Sequence, residues 1–77
     1  MEYKLISAKQ EQVKLSEDRK TFSIDYTVTG EAIDSDIIIP INTGITISNI
    51  PLSLGEEIPN FAETKVVEWF NNKYISK

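Results

Sequence analysis

Residues 21–29 read TFSIDYTVT, and the alternation in this stretch decides the fold. Phe22, Ile24, Tyr26 and Val28 occupy every even position, while Thr21, Ser23, Asp25, Thr27 and Thr29 occupy every odd one. Apolar residues at a period of two mark a strand with one face in a core and the other outside it. The even positions are therefore expected to point inward.

Upstream, SEDRK (Ser16–Lys20) is a polar turn, and Tyr3–Leu15 supplies a preceding strand. Val13 and Leu15 there fit one parity, Ile6 and Ala8 the other. One extra residue switches the face that side chains reach, so a β-bulge is expected within Lys9–Gln12.

Downstream, Ile37–Gly55 (IIIPINTGITISNIPLSLG) carries no charged side chain, in a sequence with 26% charged residues. It is too polar and too broken by Pro, Gly and Asn for a membrane span, which needs roughly 20 mostly apolar residues. Asn42-Thr43-Gly44 reads as a three-residue hairpin loop closed by a left-handed Gly. That reading sets Ile41 opposite Ile45 and Ile39 opposite Ile47. A turn within Gly30–Asp36 then sets Val28, Tyr26 and Ile24 opposite Ile37, Ile39 and Ile41. Pro40 cannot donate to a ladder. In this register its nitrogen points toward the 21–29 strand near Asp25, so a local irregularity is expected there.

The sequence from Asn60 onward is helical. Asn60 with Glu63 forms an Asn version of the capping box. Ala62, Val66, Trp69, Phe70 and Tyr74 recur as an apolar stripe, and Glu68, Asn71, Asn72 and Lys73 take the wetter side. The expected architecture is a single small α+β domain over residues 1–77. It is an antiparallel β-meander of three to four strands with one C-terminal α-helix packed on one face. The helix stripe is expected to cover Phe22, Ile24, Tyr26, Ile39 and Ile47, with Trp69 as a core residue.

The composition excludes several chemistries. The sequence has no Cys and no His, so disulfides, thiolate nucleophiles and the usual structural zinc sites are ruled out. The Gly residues stand singly at 30, 44 and 55, so no phosphate-cradling loop exists. Glu31, Asp34 and Asp36 lie in GEAIDSD, which reads as a solvated turn without a calcium-loop pattern. Glu56 and Glu57 favour the start of the helix. No catalytic residue, cofactor or metal is expected. A net charge of −4 with a single Arg argues against direct nucleic-acid binding. With no signal peptide visible, the expected location is cytoplasmic. Twelve Ile against three Ala point to an A+T-rich genome, that of a low-G+C bacterium or its phage.

A chain of this length buries only about 60% of its unfolded surface, and self-association is a common remedy. Thr21, Ser23, Asp25, Thr27 and Thr29 are expected to share the outer face with Ile38, Pro40, Thr46 and Ser48. Asp25 is then the only charge on that predicted surface. Interface centres are depleted of charge, whereas β-branched Thr also simply suits a solvated strand. The functional expectation is a small non-catalytic protein-interaction module, phage- or prophage-encoded, forming a homodimer or binding a host or phage protein through a low-charge sheet face or edge. The alternative is an acidic inhibitor that mimics nucleic acid and occupies a DNA-binding protein.

Overall fold

The computed structural model describes residues 1–76. Three strands, β1 (Glu2–Leu15), β2 (Thr21–Asp34) and β3 (Ile37–Pro51), form one open antiparallel sheet in the order β1-β2-β3. A short 3₁₀ segment (Leu52–Glu57) leads into helix α1 (Ile58–Phe70), which ends in a π-turn (Asn71–Ile75). Helix and sheet pack together as an α+β fold, with the helix on one face of the meander.

The alternation read at 21–29 continues to the end of β2. Phe22, Ile24, Tyr26, Val28 and Ala32 are buried, and the odd positions between them are half-buried. Ala62, Val66 and Phe70 of α1 close this core together with Ile50 of β3. Each large apolar side chain withdrawn from water contributes roughly 1.5–3 kcal/mol. Trp69 and Tyr74 extend the stripe as half-buried residues packed against the core. The Tyr3 and Tyr74 rings meet at 5.3 Å between centroids, tying the start of β1 to the end of the helical segment.

Both turns use left-handed residues. In the β1–β2 turn, Arg19 has φ 59° and donates its N–H to the Ser16 carbonyl. The Ser16 hydroxyl and the Lys20 N–H both donate to the Asp18 carboxylate, holding it below the usual carboxylate range. The β2–β3 turn is only Ser35-Asp36, with Ser35 at φ 55°.

The expected bulge in β1 is present: pairing slips between Gln10 and Gln12, so Glu11 is the extra residue. A second slip between Leu5 and Ser7 makes Ile6 another extra residue and leaves it exposed. Between them the two bulges bring Tyr3, Leu5, Ala8, Val13 and Leu15 to the helix side, each opposite an inward position of β2.

The hairpin expected at Asn42-Thr43-Gly44 is corrected. Those residues pair with Thr29, Val28 and Thr27 inside a continuous β3. The one turn between β2 and β3 is Ser35-Asp36, within the expected Gly30–Asp36, and because β2 runs through Gly30 to Asp34 it supplies partners along 37–51. The expected pairings change accordingly. Val28, Tyr26 and Ile24 face Thr43, Ile45 and Ile47, while Ile37, Ile39 and Ile41 face Asp34, Ala32 and Gly30. Pro40 sits opposite Glu31, not near Asp25. The capping box is also corrected: α1 begins at Ile58, ahead of Asn60, with Glu57 at the cap position, Pro59 in the first turn and no side-chain cap hydrogen bond.

The course of the helix across the sheet sets what it covers. At ~3.3 Å per residue the strands run close to 50 Å, in keeping with the 49 × 20 × 20 Å dimensions of the molecule. Thirteen helical residues at ~1.5 Å each span ~20 Å. The helical segment leaves the end of β3 and finishes over the start of β1, where Tyr74 meets Tyr3. This diagonal course leaves two inward-facing corners uncovered: Ile37 and Ile39 at the start of β3, and Val13 and Leu15 at the end of β1. Ile39, expected beneath the helix stripe, is 47% exposed, because the helical segment covers Tyr3 and Ala32 at the same level and leaves the β3 side open.

Candidate interaction edge

The residues expected to form a contact surface do share the outer face of the sheet. Thr21, Ser23, Asp25, Thr27 and Thr29 line β2, half-buried between two neighbouring strands. Ile38, Pro40, Thr46 and Ser48 lie exposed on β3. The Thr46 hydroxyl donates to the Asp25 carboxylate at 2.7 Å, directly across the pair. Ile38 and Pro40, however, stand beside Ile33 and Glu31 rather than beside the Thr row.

The expectation of a single charge on this face is corrected. The outer positions of β1 include Glu2, Lys4, Lys9 and Lys14, opposite Ile33, Glu31, Thr27 and Ser23. Glu11 adds a carboxylate there, accepting from the Thr27 hydroxyl at 3.1 Å and lying 3.9 Å from the Lys9 ammonium. Only the pairing of β1 with β2 places these charges beside the Thr row, and the bulges hid that register from the sequence. The outer face thus grades from a charged half along β1 to an uncharged half along β3.

An uncharged half-face matters most where it reaches an open edge, and β3 is an edge strand. Two hydrogen bonds fix which backbone groups of β3 are free. The Thr21 carbonyl accepts from Ser16 N–H on the β1 side, and the Lys20 carbonyl accepts from Leu52 N–H on the β3 side. Backbone direction alternates along an antiparallel strand, and β2 has no bulge. Even residues of β2 therefore bond to β3 and odd residues to β1. Partners of the odd residues on β3 are Ile38, Pro40, Asn42, Gly44 and Thr46, and these turn their N–H and C=O groups outward. Pro40 has no N–H to offer, and its nitrogen lies on the open edge instead of facing β2, a second correction to its expected position.

The free window has clear limits. Pro40 closes one end. At the other, pairing slips between Phe22 and Ile24, so that Ser48 and Asn49 of β3 stand against Ser23 alone, and Asn49 takes φ 58°. Between these limits Ile41–Ile47 (INTGITI) is regular, uncharged strand. Native edge strands are ordinarily blunted by Lys, bulges or Pro. β1 carries Lys4, Lys9 and Lys14 and two bulges, but 41–47 carries no such device.

The two strand glycines differ in the same sense. A Cβ at Gly30 would fall 2.8 Å from the Lys4 carbonyl oxygen and 3.0 Å from a Phe70 ring carbon, so packing excludes any side chain. A Cβ at Gly44 would meet only the Tyr26 carbonyl oxygen, at 3.9 Å. Nothing within the chain requires glycine at 44.

Helix α1 flanks this edge. Its Glu63/Val67 side lines a groove with Leu5, Ile6 and Ala8 of β1, so its Phe61/Lys65 side looks toward β3. On that side Leu54 and Phe61 are half-buried, the Lys65 ammonium stands 5.4 Å from the Phe61 ring centroid, and Lys65 pairs with Glu68 at 3.6 Å.

Among the described residues, no group of three or more acidic side chains is gathered as a metal site, and no helix is long and apolar enough to cross a membrane. Glu31 lies within β2, apart from Asp36 in the turn. Comparison with protein-family models, curated proteins and solved structures finds no match to this chain.

Proposed function

We propose that this chain is a small non-catalytic interaction module that self-associates by strand addition along the open edge of β3. One observation carries this reading: 41–47 is an uncharged, regular edge window, while the opposite edge is charged and twice bulged. Strand addition draws affinity from backbone hydrogen bonds and specificity from the alternating side chains beside them. Self-association suits this edge better than a charged partner does. In an isologous contact the same patch meets itself, so in a chain of net charge −4 an uncharged segment avoids like-charge opposition at the contact. On this reading the module is of bacterial or phage origin, supported by the Ile-rich, Ala-poor composition.

The nucleic-acid mimic is the weaker reading. A mimic needs regularly spaced carboxylates, and the acids of the outer face are interleaved with Lys4, Lys9 and Lys14.

Sedimentation velocity from micromolar to millimolar concentration tests the proposal. A reversible dimer is expected, and its stability should change little with salt because the contact carries no charge. A monomer throughout the range overturns the reading.

A further inference from the structure

Resting on that reading, we propose that two copies pair β3 with β3, antiparallel about a two-fold axis at Gly44, and that each copy seats its Ile39 and Ile41 against the helix flank of the other. Three independent features of the chain converge on this arrangement.

The first is the symmetry of the free window. Pro40 and Ser48 lie four positions to either side of Gly44, so a two-fold axis there sets the end that cannot donate against the end that is bulged. Asn42 then faces Thr46 of the other copy, and Gly44 faces Gly44. The outward N–H and C=O groups of 42, 44 and 46 all find partners, and none is wasted on Pro40. Any other antiparallel register sets Pro40 or the bulge against one of these groups.

The second is Gly44 itself, a glycine that its own chain does not require. Glycine inside a strand commonly marks the close approach of another backbone, and the axis position is where two backbones approach on this geometry.

The third is the uncovered apolar surface. Ile37 and Ile39 are exposed and Ile41 half-exposed, all on the helix side of β3. Edge pairing about an axis perpendicular to the sheet keeps both helices on the same face. It also sets Ile39 and Ile41 beside Asn49 and Ile47 of the other copy, the end of β3 from which the chain leaves for its own helix. There Leu54 and Phe61, both half-buried, line an open groove with Asn60, Thr64 and Lys65. Stable interfaces bury roughly 1,200 Å² or more in total, and seating these isoleucines adds apolar area that a single row of backbone hydrogen bonds lacks. The product is a six-stranded sheet with two helices on one face.

The chain has no Cys, so single spin labels report only intermolecular distances. At ~3.4 Å per residue, labels on Ile38→Cys are expected ~40 Å apart and labels on Asn42→Cys ~14 Å apart. In the second arm, Ile39→Ser should weaken the dimer about tenfold with an unchanged monomer fold, since this side chain is already exposed in one copy. A dimer with other distances overturns the Gly44 pairing while self-association stands. Correct distances with an unaffected Ile39→Ser dimer overturn the seating on the helix flank. A monomer at every concentration removes both this arrangement and the reading it rests on.

Discussion

The two edges of the sheet are of similar length and were built by opposite means. β1 alternates Lys and Glu with apolar residues and breaks its ladder at Ile6 and Glu11. Each device makes a second strand pair poorly there. β3 offers Asn42, Gly44 and Thr46 outward with no charge, and Pro40 and the Asn49 bulge only bound the window. An edge blunted along its length is closed to strand addition, whereas one blunted only at its ends has a defined docking length. On the proposed pairing, a small open sheet stops at a dimer instead of growing from both sides.

Substitutions at the open edge should break this contrast most. Gly44→Lys introduces a side chain that the monomer accommodates, since the nearest atom to a Cβ is 3.9 Å away. On the proposed axis it places two like charges side by side, a juxtaposition costing several kcal/mol. The dimer dissociation constant should rise about 100-fold or more in sedimentation, with circular dichroism unchanged. The same substitution at Ser7, on the outer side of β1, should leave association as it is.

Gly30→Ala should come next, acting on the fold rather than on association. Its methyl group would overlap the Lys4 carbonyl oxygen and crowd Phe70, and overpacking of this kind costs ~1–3 kcal/mol. Urea denaturation should show a lower midpoint. Because Gly30 faces Leu5, one residue from the Ile6 bulge, the loss should come with faster amide exchange along the start of β1, while β3 keeps its protection.

Neutralising β1 sharpens the comparison from the other side. With Lys4, Lys9 and Lys14 changed to Thr and Glu2 and Glu11 to Gln, the second edge loses its charges but keeps both bulges. Light scattering should then detect species larger than the dimer at high concentration, a smaller effect than loss of the β3 contact. Unchanged size would assign the protection of β1 to the bulges alone.

The smallest effect is expected on β2, which both edges share. Burial, reinforced by the charge of Glu63, pushes the Tyr26 phenol above its ordinary value. The folded state therefore holds that proton more tightly than the unfolded chain does. The stability gained is complete below about pH 10, the ordinary phenol value, and is lost as pH rises through the raised folded value. Thermal unfolding of Tyr26→Phe should show a shallower alkaline decline than the native chain, with little difference at neutral pH.

Several features of this protein were legible residue by residue. The alternation at 21–29 fixed which face of β2 is buried, the parity change in 3–15 placed a bulge within Lys9–Gln12, where Glu11 is the extra residue, and the spacing of Ala62, Val66 and Phe70 gave the helix stripe. These are local properties: side chains alternate every residue in a strand and return every three to four in a helix, whatever the chain packs against. The partners of β3 were not legible. Sliding a strand by two residues keeps every side chain on its face, and the expected and observed partners of Val28, Ile37 and Thr43, differ by an even number of positions. Asn42-Thr43-Gly44 has the chemistry of a turn, but it became strand because the tight turn at Ser35 let a full-length β2 claim it. Tertiary packing alone distinguished the glycine that must be glycine, Gly30, from the one the chain leaves free, Gly44. It alone also left Ile37 and Ile39 exposed, because the helical segment crosses the sheet from the end of β3 to the start of β1 and leaves the start of β3 uncovered.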